Sequence, residues 1–205
     1  MHRRDHWQEV YSTRPVDRLG WYKPRLDTSL AWIKDLDLPR EVPVIDVGCG
    51  ASTLVDDLLF EGFTAITALD ISAQALDVVR RRLGDKADLV EWIAADVTEV
   101  ELGPSTYQLW HDRAVFHFLT DASDRARYRR QLETALRPGG HLVIGVFSPD
   151  APPRCSGLPV HRYALDDLVA ELGAGFEPVR HQHELHITPG GVEQAYLYCQ
   201  FTRAH

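Results

Sequence analysis

The chain has 205 residues, 44% hydrophobic and 25% charged, which is the balance of one well-buried globular domain and little more. Its formal net charge of -8 argues against a binder of nucleic-acid backbones, which needs a positive face, and leaves room for a cationic or neutral substrate. No apolar run approaches the roughly 20 residues that span a bilayer, and Met1-His2-Arg3-Arg4-Asp5-His6 lacks the apolar core of a secretory signal. A cytoplasmic location without a membrane partner is therefore expected. Cys49, Cys155 and Cys199 show neither pairing nor zinc-type spacing and are expected as free thiols.

Residues 1–40 read as a helical, aromatic-containing segment ahead of the main fold. Trp7, Val10 and Tyr11 share a helix face, Gly20-Trp21-Tyr22-Lys23-Pro24 is a loop, and Ser29 to Leu36 forms a second helix ended before Pro39. From residue 43 strands and helices alternate. Val44 to Val47 is a strand running into the glycine turn Gly48-Cys49-Gly50-Ala51-Ser52, and a helix follows through Leu54, Leu58 and Leu59. Ala65 to Leu69 is the second strand, ending in Asp70. Ser72 caps a helix carrying Leu76, Val79 and Leu83, and Leu89 to Ile93 is the third strand, ending near Asp96. Tyr107 to Trp110 is the fourth strand, with His111-Asp112-Arg113 in the loop after it and a short helix over Ala114 to Leu119. The segment 122–136 is an amphipathic helix stopped by Pro138-Gly139-Gly140, and His141 to Phe147 is the fifth strand. After a helix over 164–172, Phe176 to Ile187 and Glu193 to Thr202 pair across Pro189-Gly190-Gly191 as an antiparallel hairpin. The expected fold is α/β: a Rossmann-like, doubly wound, seven-stranded sheet in one domain over 1–205, mostly parallel, with a C-terminal antiparallel hairpin.

The glycine turn is the most informative stretch. A turn without side chains lets the backbone approach a ligand. Asp46 stands two residues before Gly48, where it would repel a pyrophosphate and suit an ammonium group. Thr53 replaces the last glycine of the dinucleotide pattern, which argues against a nicotinamide oxidoreductase. In a doubly wound sheet ligands bind at the carboxyl ends of the strands. Asp70 there can accept both hydroxyls of a ribose, with Ile71 packing on a purine face. Asp96 can accept from an exocyclic amine, with Val97 as an apolar wall.

The stretch Pro43-Val44-Ile45-Asp46-Val47-Gly48-Cys49-Gly50-Ala51-Ser52 resembles motif I of the class I S-adenosylmethionine-dependent methyltransferases, with Ser52 at the third glycine of that motif. The resemblance covers residues 40–147 firmly. It implies S-adenosylmethionine as cofactor. Asp46, Gly48, Cys49 and Gly50 would lie around its methionine part, Asp70 and Ile71 at the ribose and adenine, and Asp96 and Val97 at the adenine. The segment His111-Asp112-Arg113 resembles that of thiopurine-type and elongation-factor-lysine-type methyltransferases, and Asp112, Arg113 and His111 are expected to orient the methyl acceptor. Trp21 and Tyr22 are expected to close over the cofactor, by packing or by cation–π contact with its sulfonium, with the 1–40 segment acting as a lid. The expected function is methyl transfer to a small-molecule acceptor. The alternatives are a protein lysine N-methyltransferase and a cofactor-binding protein that has lost catalysis. No metal site is expected, because His181 and His183 share one strand face and His186 lies on the other. Neither a nucleic-acid partner nor a particular oligomeric state is implied.

Overall fold

The computed structural model describes residues 3–205. Strands β1 (Val44–Val47) and β2 (Ile66–Asp70) are buried along their whole length, as their continuous apolar character demands of parallel strands covered on both faces. They belong to a seven-stranded sheet of order β3-β2-β1-β4-β5-β9-β8, completed by β3 (Val90–Ala94), β4 (Tyr107–Arg113), β5 (Leu136–Phe147), β8 (Phe176–Ile187) and β9 (Glu193–Arg203). β1 to β5 run parallel, and β9 pairs antiparallel with both β5 and β8. The predicted topology, terminal hairpin included, is the observed one. Strand order reverses between β1 and β4, which opens a crevice at their carboxyl ends.

Two apolar layers sandwich the sheet. On one face α2 (Asp27–Asp35), α3 (Leu54–Phe60) and α4 (Ala73–Leu83) bury Ile33, Leu54, Leu58 and Val79. On the other, α5 (Ala122–Ala135) and α6 (Leu165–Leu172) bury Tyr128, Leu132 and Leu168. The α4 start is fixed as predicted, with Ser72 Oγ accepting from the Ala75 amide at 3.3 Å. The 1–40 segment divides: α2 is part of the core, whereas α1 (Arg3–Thr13) buries only Val10 and lies across the carboxyl end of the sheet.

Four local differences from the sequence reading follow from pairing. β4 runs on to Arg113, because His111, Asp112 and Arg113 continue the ladder opposite Val143, Ile144 and Gly145, so this segment is strand rather than loop. A turn at Ala114, with φ of +71°, and a single 3-10 turn over Phe116–Phe118 replace the short helix. β5 begins at Leu136, which pairs with Tyr107 before the register shifts ahead of Leu109. The loop after β5 holds a small hairpin, β6 (Arg154–Cys155) with β7 (Leu158–Pro159), turning at Ser156 and Gly157, both with positive φ.

Candidate active site

Two adjoining cavities open at the carboxyl ends of the central strands and share Trp21, Gly48 and Arg113. The larger encloses about 710 Å³ including its mouth and reaches Asp70, Ile71, Asp96 and Val97; the smaller, about 470 Å³, lies along Asp46 and the glycine turn. Together they have the size of a pocket for a nucleoside-bearing ligand. Every residue expected around the cofactor lines one cavity or both: Gly48 and Trp21 both, Cys49, Gly50, Tyr22 and Asp46 the smaller, and Asp70, Ile71, Asp96 and Val97 the larger.

The glycine turn has no spare room. Gly48 has φ of +64°, and a Cβ there would overlap Val115 Cγ2. Gly50 has φ of +54°, and a Cβ there would overlap the hydroxyl of Tyr11, which lies on the turn from α1. Asp70 ties the turn to the end of β2. Its two oxygens accept from the amides of Gly50 and Ser72, each at 2.8 Å. Burial pushes its carboxyl up to about 6, against the lowering by those two amides. Asp96 is held by Thr98, whose amide and hydroxyl donate to one oxygen at 2.8 and 2.7 Å, and by Arg3, whose guanidinium reaches the other at 3.2 Å.

Along β4 the side chains alternate between the two faces of the sheet, and this separates the three residues expected to handle the acceptor. His111 and Arg113 face the cavities. His111 donates through Nδ1 to Asp46 Oδ1 at 2.7 Å and accepts at Nε2 from the Ser29 hydroxyl at 2.9 Å, so both its nitrogens are occupied. Asp46 Oδ2 is buried without a partner. Arg113, 8% exposed, donates from Nε to the Tyr198 hydroxyl at 2.9 Å and from Nη1 to the Trp21 carbonyl at 3.0 Å, and its guanidinium lies 4.6 Å above the Tyr196 ring. Its Nη2 is buried with no partner.

Asp112 points the other way, which corrects its expected place beside the acceptor. It is fully buried against α5, accepting from the Tyr128 hydroxyl at 2.7 Å and the Val115 amide at 3.0 Å, and it lines neither cavity. Nor does it pair with Arg113 on the other face. Burial pushes its carboxyl up to about 6. Its visible work is to hold the turn that carries Val115 against Gly48.

The residues that sequence reasoning missed come chiefly from α1. Trp7 meets Trp21 and Phe118 edge-on, at 5.3 and 5.0 Å between ring centroids, and roofs the larger cavity. Gln8 Oε1 accepts from the Ser72 hydroxyl at 2.8 Å, and Arg3 bridges Asp96 to Asp124 on α5. The signal available was the Trp7 and Tyr11 helix face, whose destination periodicity alone does not reveal. Cys155, carried by the small hairpin, also lines the larger cavity. His186 donates to the Gly20 carbonyl at 2.8 Å, while His181 and His183 are exposed; no cluster that could hold a metal ion is present among the described residues.

A doubly wound sheet with an acid-flanked glycine turn and acids at the next two strand ends has the layout of a nucleoside-binding cleft. Comparison with known proteins carries this further. Residues 44–140 match the family model described as "Methyltransferase domain". The chain is 26% identical over 140 residues, 68% of its length, to the mouse eEF1A lysine and N-terminal methyltransferase. It spans about a fifth of that relative, 20% of its length. It is 25% identical over 174 residues to the methyltransferase GfsG of Streptomyces halstedii, covering 83% of this chain and 55% of GfsG. Its fold superimposes on the 1,6-didemethyltoxoflavin N1-methyltransferase of Burkholderia thailandensis, solved with its acceptor and S-adenosylhomocysteine, with a TM-score of 0.72 at 22% identity, covering 98% of this chain and 86% of that one. Residues 44–140 thus match a methyltransferase domain, and the chain has the fold of the class I S-adenosylmethionine-dependent methyltransferases, which indicates S-adenosylmethionine as the cofactor.

Proposed function

We propose that this domain transfers the methyl group of S-adenosylmethionine to a small-molecule acceptor. The observation that carries the reading is the closure of the cleft. α1, Trp7, Trp21 and Phe118 roof the cavities over the strand ends, which suits a small acceptor better than a length of polypeptide. The cofactor, when bound, supplies an electrophilic methyl group on a sulfonium.

The residues present fit that group. The unpartnered Asp46 Oδ2, next to a turn with room only for glycine, suits an ammonium group. Asp70 keeps lone pairs free for ribose hydroxyls beyond its two amide bonds, Asp96 suits the adenine amine, and Ile71 and Val97 supply apolar walls. Trp21 covers the junction of the two cavities, and Tyr22 the smaller one. The protein's part is to align the two reactants and exclude water, which accounts for much of the barrier lowering in a bimolecular displacement.

A protein lysine acceptor is the second reading, favoured by the likeness to the eEF1A lysine methyltransferase. Calorimetry with S-adenosylhomocysteine, followed by radiolabelled methyl transfer to small thiols, amines and a lysine peptide, tests both. Micromolar binding with transfer to small acceptors supports the proposal. Transfer to the peptide alone supports the second reading, and binding without any transfer supports a non-catalytic protein.

A further inference from the structure

Arg113 is a buried cation at the junction of the two cavities, without an ion-pair partner among the described residues. A lone buried charge is expensive, and proteins keep one where a ligand of opposite charge completes it. Among the described residues, none of its neighbours forms an ion pair with it. Tyr196 and Tyr198 are buried phenols with their pKa values raised by burial, hence neutral. Glu184 acts on Arg113 electrostatically, but it makes no ion pair with it and is held by Lys23 at 2.7 Å and Thr28 at 2.6 Å. His186 and His117 are both kept neutral by burial, His117 accepting at Nδ1 from the Phe147 amide at 3.1 Å. The Cys155 thiol is pushed up to about 11 by burial, so it is a neutral wall and not a competing thiolate.

Among the described residues, the carboxylates and the histidine that line the cleft are all engaged elsewhere. His111 has both nitrogens occupied, and Asp46, Asp70 and Asp96 are the acids that the reading above assigns to the cofactor's ammonium, ribose and adenine. An alkylammonium must lose a proton before it can attack a methyl group, and here it would do so beside a cation with nothing to take the proton. An acceptor that arrives as an anion needs no base. A carboxylate is best matched by two parallel guanidinium N–H groups, but Nε and Nη1 are already donating to Tyr198 and Trp21, leaving Nη2 as the one unpartnered nitrogen. A single-atom, weakly hydrated anion suits that donor and the apolar walls Phe118, Val115 and Leu119 better.

We propose that the acceptor is a small thiol bound as its thiolate, with the sulfur against Arg113 Nη2. This rests on the methyl-transfer reading above. The thiolate sulfur forms a bond to the methyl carbon as the bond from that carbon to the cofactor's sulfur breaks. The breaking pair stays on the cofactor's sulfur, the two opposite charges cancel, and the products are a neutral methyl thioether and S-adenosylhomocysteine. No proton moves in the transfer step.

The test uses the full chain with thiophenol and 2-mercaptoethanol, two thiols of different acidity, and with phenol and benzylamine as oxygen and nitrogen counterparts. The expected result is transfer to the thiols, with the pH break in kcat/KM moving with the acidity of the thiol. A break fixed at one pH for both thiols, or transfer to benzylamine or phenol in preference to the thiols, overturns the proposal. Calorimetry of thiophenol binding to the S-adenosylhomocysteine complex, run in buffers of different ionisation enthalpy below the thiol's pKa, is expected to show release of one proton on binding; no release overturns it. Arg113→Gln is expected to lower kcat/KM for thiophenol by about 100-fold or more, with recovery in Arg113→Lys and S-adenosylhomocysteine affinity kept within about threefold. Loss of S-adenosylhomocysteine affinity with unchanged affinity for 5′-methylthioadenosine, which lacks the amino-acid part, assigns Arg113 to the cofactor's carboxylate and overturns the proposal. If the unaltered protein binds no S-adenosylhomocysteine, the methyl-transfer reading fails first.

Discussion

Gly48 shows how one missing atom shapes this cleft. Two costs oppose a side chain there. Positive φ disfavours any L residue by roughly 1–2 kcal/mol, and the added Cβ would overlap Val115 Cγ2. The costs are separable. Gly48→Ala is expected to lose cofactor affinity by at least tenfold, and adding Val115→Ala should restore part of it by removing the overlap while leaving the φ strain. Calorimetry with S-adenosylhomocysteine on both variants checks this, and equal binding by the single variant and the parent would remove the turn from the cofactor site. Asp112 invites the opposite expectation. Removing its carboxylate leaves the Tyr128 O–H, which still accepts from Trp110, and the Val115 amide without their acceptor. Unsatisfied buried groups cost roughly 1–3 kcal/mol each, so Asp112→Ala should lower unfolding free energy by about 2–4 kcal/mol in urea titrations. The folded remainder should keep its cofactor affinity, since Asp112 faces α5 and not the cavities.

At the scale of elements, what the sequence revealed and what it hid divide along a physical line. The strand ends carrying Asp46, Asp70 and Asp96 were legible because each sits where an apolar run meets a turn, and the doubly wound topology brings such ends together. The reach of β4 to Arg113 was not legible, because His, Asp and Arg are poor strand signals and only the pairing with Val143, Ile144 and Gly145 makes them strand. Missing those three residues of strand hid the alternation that sends Asp112 to one face and Arg113 to the other. The role of α1 was hidden for another reason. It is anchored by long-range polar contacts, Arg3 with Asp96 and Gln8 with Ser72, and by aromatic edges, none of which periodicity encodes. Because α1 buries little of itself, it should be the most easily released element over the cleft. Trp7→Ala is therefore expected to speed S-adenosylhomocysteine dissociation severalfold, read by stopped-flow fluorescence displacement, while the urea midpoint of the core changes little. A shift of the midpoint comparable to that of Asp112→Ala would mean that α1 belongs to the core.

Over the whole molecule, buried titratable groups of opposite sign set the response to pH. Asp70 and Asp112, each raised to about 6 by burial, bind protons in the folded chain that the unfolded chain has released. Their contribution to stability is fully present below the ordinary carboxylate value and is lost as pH rises through about 6. His117, lowered to about 3 by burial, acts in the other direction: its contribution is present above the ordinary imidazole value and is lost as pH falls towards 3. His141, His161 and His186 are lowered as well and add to the histidine side. Between about pH 4 and 6 two acids thus oppose several histidines, and the net slope is the difference between the two sets. Asp112→Ala removes one arm of this balance. Its unfolding free energy, measured in urea from pH 4.5 to 6.5, should rise more steeply with pH than that of the parent chain. Cofactor binding should carry the Asp70 signature separately. Protonation of Asp70 below about pH 6 turns one acceptor oxygen into a donor, so S-adenosylhomocysteine affinity should fall on acidification through that point. In the Asp70→Asn variant, affinity should be low at neutral pH and nearly flat across the same range. A parent affinity that is flat from pH 7.5 to 5 would show that the ionised Asp70 does not hold the ligand.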